Sequence, residues 1–346
     1  RRRHPGSRLA LPSRPKLTGL NLRQNRRVVA DGTGPTLHEL GEFSVIDRLV
    51  AGRFQPSGVA VGPGDDAAVI GAPDGRVVVT TDMLVEGRHF RLDWSTPGEV
   101  GRKAVAQNAA DVEAMGARVT ALVVAFGAPP GTQASAVQEL TDGMWRETAE
   151  LGAGIVGGDL VASPQWVVSV TALGDLAGRA PVLRSGARPG SVIAVAGELG
   201  RSAAGMVLQR NAIRGFDDLK LRHRVPRPPY GQGRLAADAG AQAMTDVSDG
   251  LLADLGHVAT ASQVILDLDP DALGPDVEAV GSAAQAAGVD PWSWVLGGGE
   301  DHALVACFAG PPPPGWRVIG AVRDGAAGVL LAGRRWEGSA GWQSFD

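Results

Sequence analysis

Past residue 38 the chain alternates short apolar runs with stretches of helical spacing, which restricts it to a mixed α/β architecture. The stretch "GRVVVTTDMLVEG" predicts a strand over residues 77–81, and a helix fits residues 98–115 with Val105, Ala109 and Val112 as its apolar stripe. "RVTALVVAFGA" reads as a strand. Val137, Leu140, Met144, Thr148 and Leu151 mark a second helix, closed by Gly152. "GAGIVGGDL" and "QWVVSVTALGDL" give two more strands. Between residues 175 and 190 Gly, Pro and Arg accumulate, and a fresh strand, "VIAVAGELG", follows, so the boundary between two domains is expected there. The second half repeats the mixed pattern through a helix after Gly250 and a strand around Val305, with a loop expected at the prolines of residues 311–314.

Charge and cysteine usage narrow the class. Residues 1–37 hold eight Arg and one Lys against Asp31, a net of +8, which leaves −12 for the rest of a chain whose total is −4. This opening stretch lacks helical periodicity and is expected to be a disordered basic leader, with domains over 38–177 and 178–346. No aromatic residues interleave its arginines, and the acidic remainder argues against a nucleic-acid partner. The single cysteine, Cys307, excludes an intrachain disulfide framework and fits a reducing cytoplasm. No apolar run approaches the length of a membrane span.

Acidic turns recur. "TDVSDGLLADLGH" sets Asp246 and Asp249 between a short apolar strand and a helix bearing Leu251, Leu252, Leu255 and Val258. "GPGDDAAV" holds Asp65 and Asp66, the 77–81 strand is expected to end in Thr80, Thr81 and Asp82, "IVGGDL" to end in Gly157, Gly158 and Asp159, and "LGGGEDHAL" precedes Glu300 and Asp301 with three glycines. Asn108 and Asp111, three residues apart, share one helix face. Taken singly, each has an ordinary explanation: Ser248 or Asp249 as a helix cap, Asp-Gly as a turn, Asp111 on a solvated face. Together they gather hard oxygen ligands that repel one another unless cations lie between them. Oxygen-only ligation without a Cys or His cluster points to Mg²⁺, which usually arrives with phosphates. A P-loop is excluded, because GxxxxGK[ST] is absent and the only lysines are Lys16, Lys103 and Lys220.

"GEFSVIDRL", "GPGDDAAV", "TTDMLVEGRHF", "NAADVEAMGA", "GGDL", "LRSGARPGS", "DVSDGLLADLGH" and "LGGGEDHAL", in this order from about Gly41 onward, resemble the thiamine-monophosphate kinase family of PurM-like, aminoimidazole ribonucleotide synthetase-like ATP-using proteins. The resemblance implies an α/β (α+β type) two-domain PurM-like architecture, with an N-terminal mixed sheet that forms a barrel in a homodimer and a C-terminal α/β domain. It implies ATP- and Mg²⁺-dependent phosphorylation of thiamine phosphate to thiamine diphosphate. Carried over by motif, Asp66, Thr80, Thr81, Asp82, Asp111, Asp159, Asp246 and Asp249 would hold Mg²⁺, and Gly158, Arg184 and Ser248 would contact ATP. His89, Glu300 and Trp342 would contact the thiamine side. His302 departs from the family pattern, which usually has an aromatic there.

A phosphomonoester whose second pKa is about 6 is largely dianionic at neutral pH, so direct in-line transfer needs no general base. The alternatives are another PurM-like enzyme such as an aminoimidazole ribonucleotide synthetase, or a non-catalytic nucleotide- or cation-binding module. Selenophosphate synthetase and the hydrogenase-maturation relative would want a cysteine where Cys307 does not stand.

Overall fold

The computed structural model describes residues 34–63 and 67–341. Most of the basic leader, Asp65, Asp66 and Trp342 lie outside the described residues. The end of the expected leader belongs to the fold: Thr36 caps α1 (Leu37–Leu40) in a capping box with Glu39, and the Pro35 carbonyl accepts from Ala134 N.

After α1 come α2 (Glu42–Val50), a small antiparallel pair β1 (Val59–Val61) and β2 (Val69–Ile70), β3 (Val78–Val85), α3 (Pro97–Ala114), β4 (Arg118–Ala128), α4 (Ala134–Leu151), β5 (Gly154–Ala162) and β6 (Val167–Asp175). Four of these strands form a mixed sheet in the order β3-β6-β4-β5, parallel only between β4 and β5. Two strands run further than the sequence predicts. β3 continues through Asp82 to Val85, and β5 continues through Asp159 to Ala162, so neither acidic residue ends its strand. Strand alternation therefore decides their direction. Thr80, Asp82 and Leu84 face α3, while Val79, Thr81 and Met83 face away from it. On the inner face Leu84, Leu122, Val168 and Val170 pack with Val105 and Val112 of α3 and with Leu140 and Met144 of α4. Fully burying one such side chain contributes roughly 1.5–3 kcal/mol.

The second half supplies β7 (Val192–Ala196), α5 (Arg201–Arg210), α6 (Asp217–Arg224), α7 (Gln232–Asp238), β8 (Ala243–Asp246), α8 (Leu251–Ser262), β9 (Ile265–Leu268), α9 (Pro270–Ala287), α10 (Pro291–Gly297), β10 (Leu304–Phe308), β11 (Arg317–Arg323) and β12 (Gly328–Leu331). Its six-stranded sheet runs β12-β9-β11-β7-β10-β8 and is antiparallel except between β12 and β9. All five residues of β10 are buried because both faces are covered. Val305 and Cys307 join a core with α8 and α10, whereas Leu304, Ala306 and Phe308 join another that includes Ala236 of α7 and Ala114 of α3. Helix α3 thus serves both domains, packing on β3 and β6 of the first and on β8 of the second.

Candidate active site

The site is built where α3 brings the end of β8 to the inner face of β3. Thr80 Oγ1 donates to Asp111 Oδ2 at 2.7 Å, and the Asp82 backbone N–H donates to Asn108 Oδ1 at 2.9 Å. The three-residue spacing of Asn108 and Asp111 is thereby matched to the two-residue spacing of Thr80 and Asp82. Asn108 is itself oriented by its amide, which donates to the Ala104 carbonyl.

From the second domain, Asp246 is the last residue of β8 and is buried, and Asp249 follows in the turn to α8. The helix-cap explanation for this turn fails. Gly250 is the N-cap of α8 with no side-chain cap bond, and Asp254 Oδ2 accepts from Asp249 N and Gly250 N, which leaves the Asp249 and Ser248 side chains out of the capping. The "GGGED" glycines have a steric reason. A Cβ on Gly299 would sit 2.6 Å from the Ser248 carbonyl oxygen, so the two loops meet backbone to backbone. Glu300 N and His302 N donate to the Ser248 and Val247 carbonyls, with both residues held at positive φ, +64° and +53°.

The carboxylates of the two domains sense one another. Burial, then the charges of Asp246 and Asp82, push Asp111 up to about 7. Asp82 is raised by burial and then by Asp246 and Asp249, and Asp249 by burial and Asp246. Asp254, which the sequence reading passed over, is pushed to about 7 by burial and Asp246. Among the described residues, no Lys or Arg is ion-paired with Asp82, Asp111, Asp246 or Asp249; Asp246 has only His302, whose Nδ1 lies 3.2 Å from its Oδ2. Burial lowers the His302 pKa, but the hydrogen bond and charge of Asp246 outweigh it and the net direction is upward. Also among the described residues, no three His, Cys, Asp or Glu side chains stand close enough together to hold a metal ion. The four carboxylates are instead divided between two domains. An oxygen-only, mutually repelling donor set of this kind fits hard divalent cations.

A second cluster adjoins it. Lys103 is fully buried on α3 and donates to the His89 carbonyl at 3.0 Å, and it pairs with Glu300 Oε1 at 2.9 Å. His223 Nδ1 stands 3.3 Å from Glu300 Oε2 and 3.2 Å from Ser202 Oγ. Burial raises the Glu300 carboxyl, but Lys103 and His223 more than reverse that and hold it well below the usual carboxylate range. His89 Nδ1 accepts from Val85 N, which fixes the neutral ring with its proton on Nε2, and burial lowers its pKa. The fold therefore joins His89 and Glu300 through Lys103. Neither Lys103 nor His223 was singled out as a site residue from sequence; a lone lysine opening the alanine-rich helical stretch "KAVAQNAADV" is the signal that was there. Asp301, grouped with the acidic turns, instead accepts from Gly200 N and Ser202 N at the start of α5.

The remaining predicted residues lie elsewhere. Arg184 is exposed but close enough for its charge to act on Asp249. Thr81 is on the opposite face of β3 from Asp82, where its hydroxyl donates to the Val170 carbonyl and accepts from Thr171. Gly158 and Asp159 are exposed on β5, the far edge strand from β3. Gly341, just before Trp342, lies against the Asp249 backbone.

Comparison with known proteins identifies the family. Residues 64–176 match the model of the AIR synthase related protein N-terminal domain, and residues 188–295 match that of the C-terminal domain. A thiamine-monophosphate kinase of Mycobacterium tuberculosis is 67% identical over 311 residues, which span 90% of this chain and 93% of that protein. The crystal structure of thiamine-monophosphate kinase from Stenotrophomonas maltophilia K279a superposes with a TM-score of 0.73 at 29% identity, covering 87% of this chain and 98% of that one. AaThiL complexed with AMPPCP and TMP gives 0.72 at 28% identity, covering 90% and 100%. With both halves of the chain matched in order and two thirds of its aligned residues shared with one such enzyme, the chain belongs to the thiamine-monophosphate kinase family.

Proposed function

We propose that this chain transfers the γ-phosphoryl group of ATP to the phosphate of thiamine phosphate, giving thiamine diphosphate, with Mg²⁺ held between its two domains. The observation that carries this reading is the electrostatic coupling of Asp82 and Asp111 with Asp246 and Asp249 across the domain boundary, where each of Asp82, Asp111 and Asp249 has its pKa raised and none has an ion-paired Lys or Arg among the described residues. Several such ions, when bound, would neutralise the phosphates and let the two anions approach. Asp66, Thr80, Asp82, Asp111, Asp246 and Asp249 would hold them, with Thr80 keeping Asp111 in place. Ser248 and Arg184 flank Asp249 on the nucleotide side, and Arg184 is a natural partner for phosphate oxygens. His89 offers an Nε2–H donor and Glu300 a carboxylate to the thiamine side, where Trp342 would also contribute. No side chain need remove a proton, because the acceptor phosphate is already ionised.

The active form in this reading is a homodimer joined through the open face of the first sheet, where Val79 is 60%, Met83 52% and Val161 53% exposed. Thr81, Gly158 and Asp159 would then lie at or beside the boundary between copies. The domain limits 38–177 and 178–346 are part of the same proposal, the first extended at its start to include Pro35 and Thr36. No helix among the described residues is long and apolar enough to cross a membrane, and a cytoplasmic location suits the lone buried Cys307.

Incubation with ATP, Mg²⁺ and either thiamine phosphate or free thiamine, followed by separation of the thiamine esters, tests the reading. Thiamine diphosphate should form from the phosphate ester alone. Efficient phosphorylation of free thiamine, or no product from the ester, would overturn it.

A further inference from the structure

Resting on the reading above that Asp246 is a metal ligand, we propose that His302 is its positioning residue: the ring's Nδ1–H holds Asp246 Oδ2 and leaves Oδ1 as the oxygen presented to a divalent cation. The contact is 3.2 Å, between two residues that are 4% and 3% exposed. It is the only hydrogen bond to the Asp246 carboxylate among the described residues. The first domain uses the same arrangement, with Thr80 Oγ1 on Asp111 Oδ2. In each domain one carboxylate, half-buried for Asp111 and buried for Asp246, therefore has one oxygen fixed by a neighbouring donor and one without a hydrogen bond among the described residues.

Two further features set His302 apart from a packing residue. Its Nε2 is buried without a hydrogen-bond partner among the described residues, a desolvated state that a phenylalanine would avoid. Its backbone is held at φ +53° by the N–H donated to Val247 O, one residue from Asp246, so both the ring and the carboxylate are fixed by the same pairing of the β8 and β10 ends. The hydrogen bond needs a proton on Nδ1, which the neutral tautomer with a bare Nε2 and the imidazolium both provide.

Mn²⁺ serves as the probe, with free ion counted by electron paramagnetic resonance in titrations of the full chain without nucleotide and then with ATP. His302→Phe should weaken Mn²⁺ binding about 10–100-fold, as loss of an outer partner to a ligand commonly does. His302→Asn, whose amide can donate from near the Nδ1 position, should stay within about threefold of wild type. Melting curves accompany each variant, and if His302→Phe melts well below wild type, His302→Gln, whose amide reaches toward the Nε2 position, takes its place with the same expected loss. Unchanged affinity in the Phe or Gln variant, or equal losses in the Asn and Phe variants, would overturn the positioning role while leaving the metal site intact. Failure of the wild-type protein to bind Mn²⁺ at all would overturn the metal reading itself, and this inference with it.

Discussion

Asp111 shows how a single residue carries both the instability and the chemistry of the site. Its pKa, near 3.9 in an unfolded chain, is pushed up to about 7 by burial and by Asp246 and Asp82. A carboxyl raised on folding favours the native state fully below about pH 4, and that contribution is lost as pH rises through about 7. Metal-free protein should therefore lose up to a few kcal/mol of stability over this window, Asp111→Asn should flatten the loss, and Mg²⁺ should reverse it in the wild type. Melting temperature against pH with and without chelator checks this; parallel curves for wild type and variant would contradict it. Asp82, Asp111, Asp246 and Asp249 were legible in the sequence because their residue types recur at turns and on one helix face. His223, and the pairing of His302 with Asp246, were not, because a histidine's partner lies across the fold: Asp246 is 56 residues from His302.

At the scale of elements, α3 decides the geometry. The sequence marks its Val105, Ala109 and Val112 stripe, yet Ala104, Ala106 and Ala110 are as deeply buried, since the helix is covered by sheet, by α4 and by the second domain. Small residues make this possible. A Cβ on Gly143 of α4 would lie 2.0 Å from the Gly98 carbonyl oxygen, and one on Gly101 would lie 2.0 Å from that of Leu140. Gly143→Ala must therefore push the helices apart. It should cost about 1–3 kcal/mol in urea unfolding and lower turnover by moving Asn108 and Asp111 away from β3. A wild-type unfolding midpoint would show that the helices are not held at this distance. The extension of β3 and β5 past their acidic residues was hidden for a different reason. Asp and Gly are turn formers in isolation, and only pairing with β6 and β4 keeps these segments extended.

At the scale of the whole molecule, the two domains are joined by groups that neither could satisfy alone. Lys103 reaches Glu300, Glu113 accepts from Gly231 N and Gly233 N, Tyr230 donates to Glu147, and Arg224 pairs with Glu99. Lys103→Met would leave Glu300 without its main counter-charge and should cost about 3 kcal/mol, the low end for a buried pair because the Glu300 side chain remains 30% exposed. Most of that loss should return in the Lys103→Met/Glu300→Gln double variant; additive losses would mean that the two do not act as a pair. The open sheet face makes a second prediction at this scale. Met83→Glu should convert a dimer to a monomer in sedimentation, and a wild-type monomer would remove the proposed interface. Two sheets with intervening helices were readable from periodicity, whereas the sharing of α3 between domains was not, because its contacts with β8 join residues distant in sequence.

The central claim is that carboxylates from both domains hold the Mg²⁺ on which phosphoryl transfer depends, and Mg²⁺ titration of thiamine diphosphate formation tests it most directly. The measurement compares wild type with Asp111→Asn and Asp246→Asn, one variant from each domain, at saturating ATP and thiamine phosphate. Each variant alone should lower turnover by orders of magnitude and shift half-activation to higher Mg²⁺, with chelator abolishing product in all three. Wild-type turnover at limiting Mg²⁺ in either variant would contradict the account.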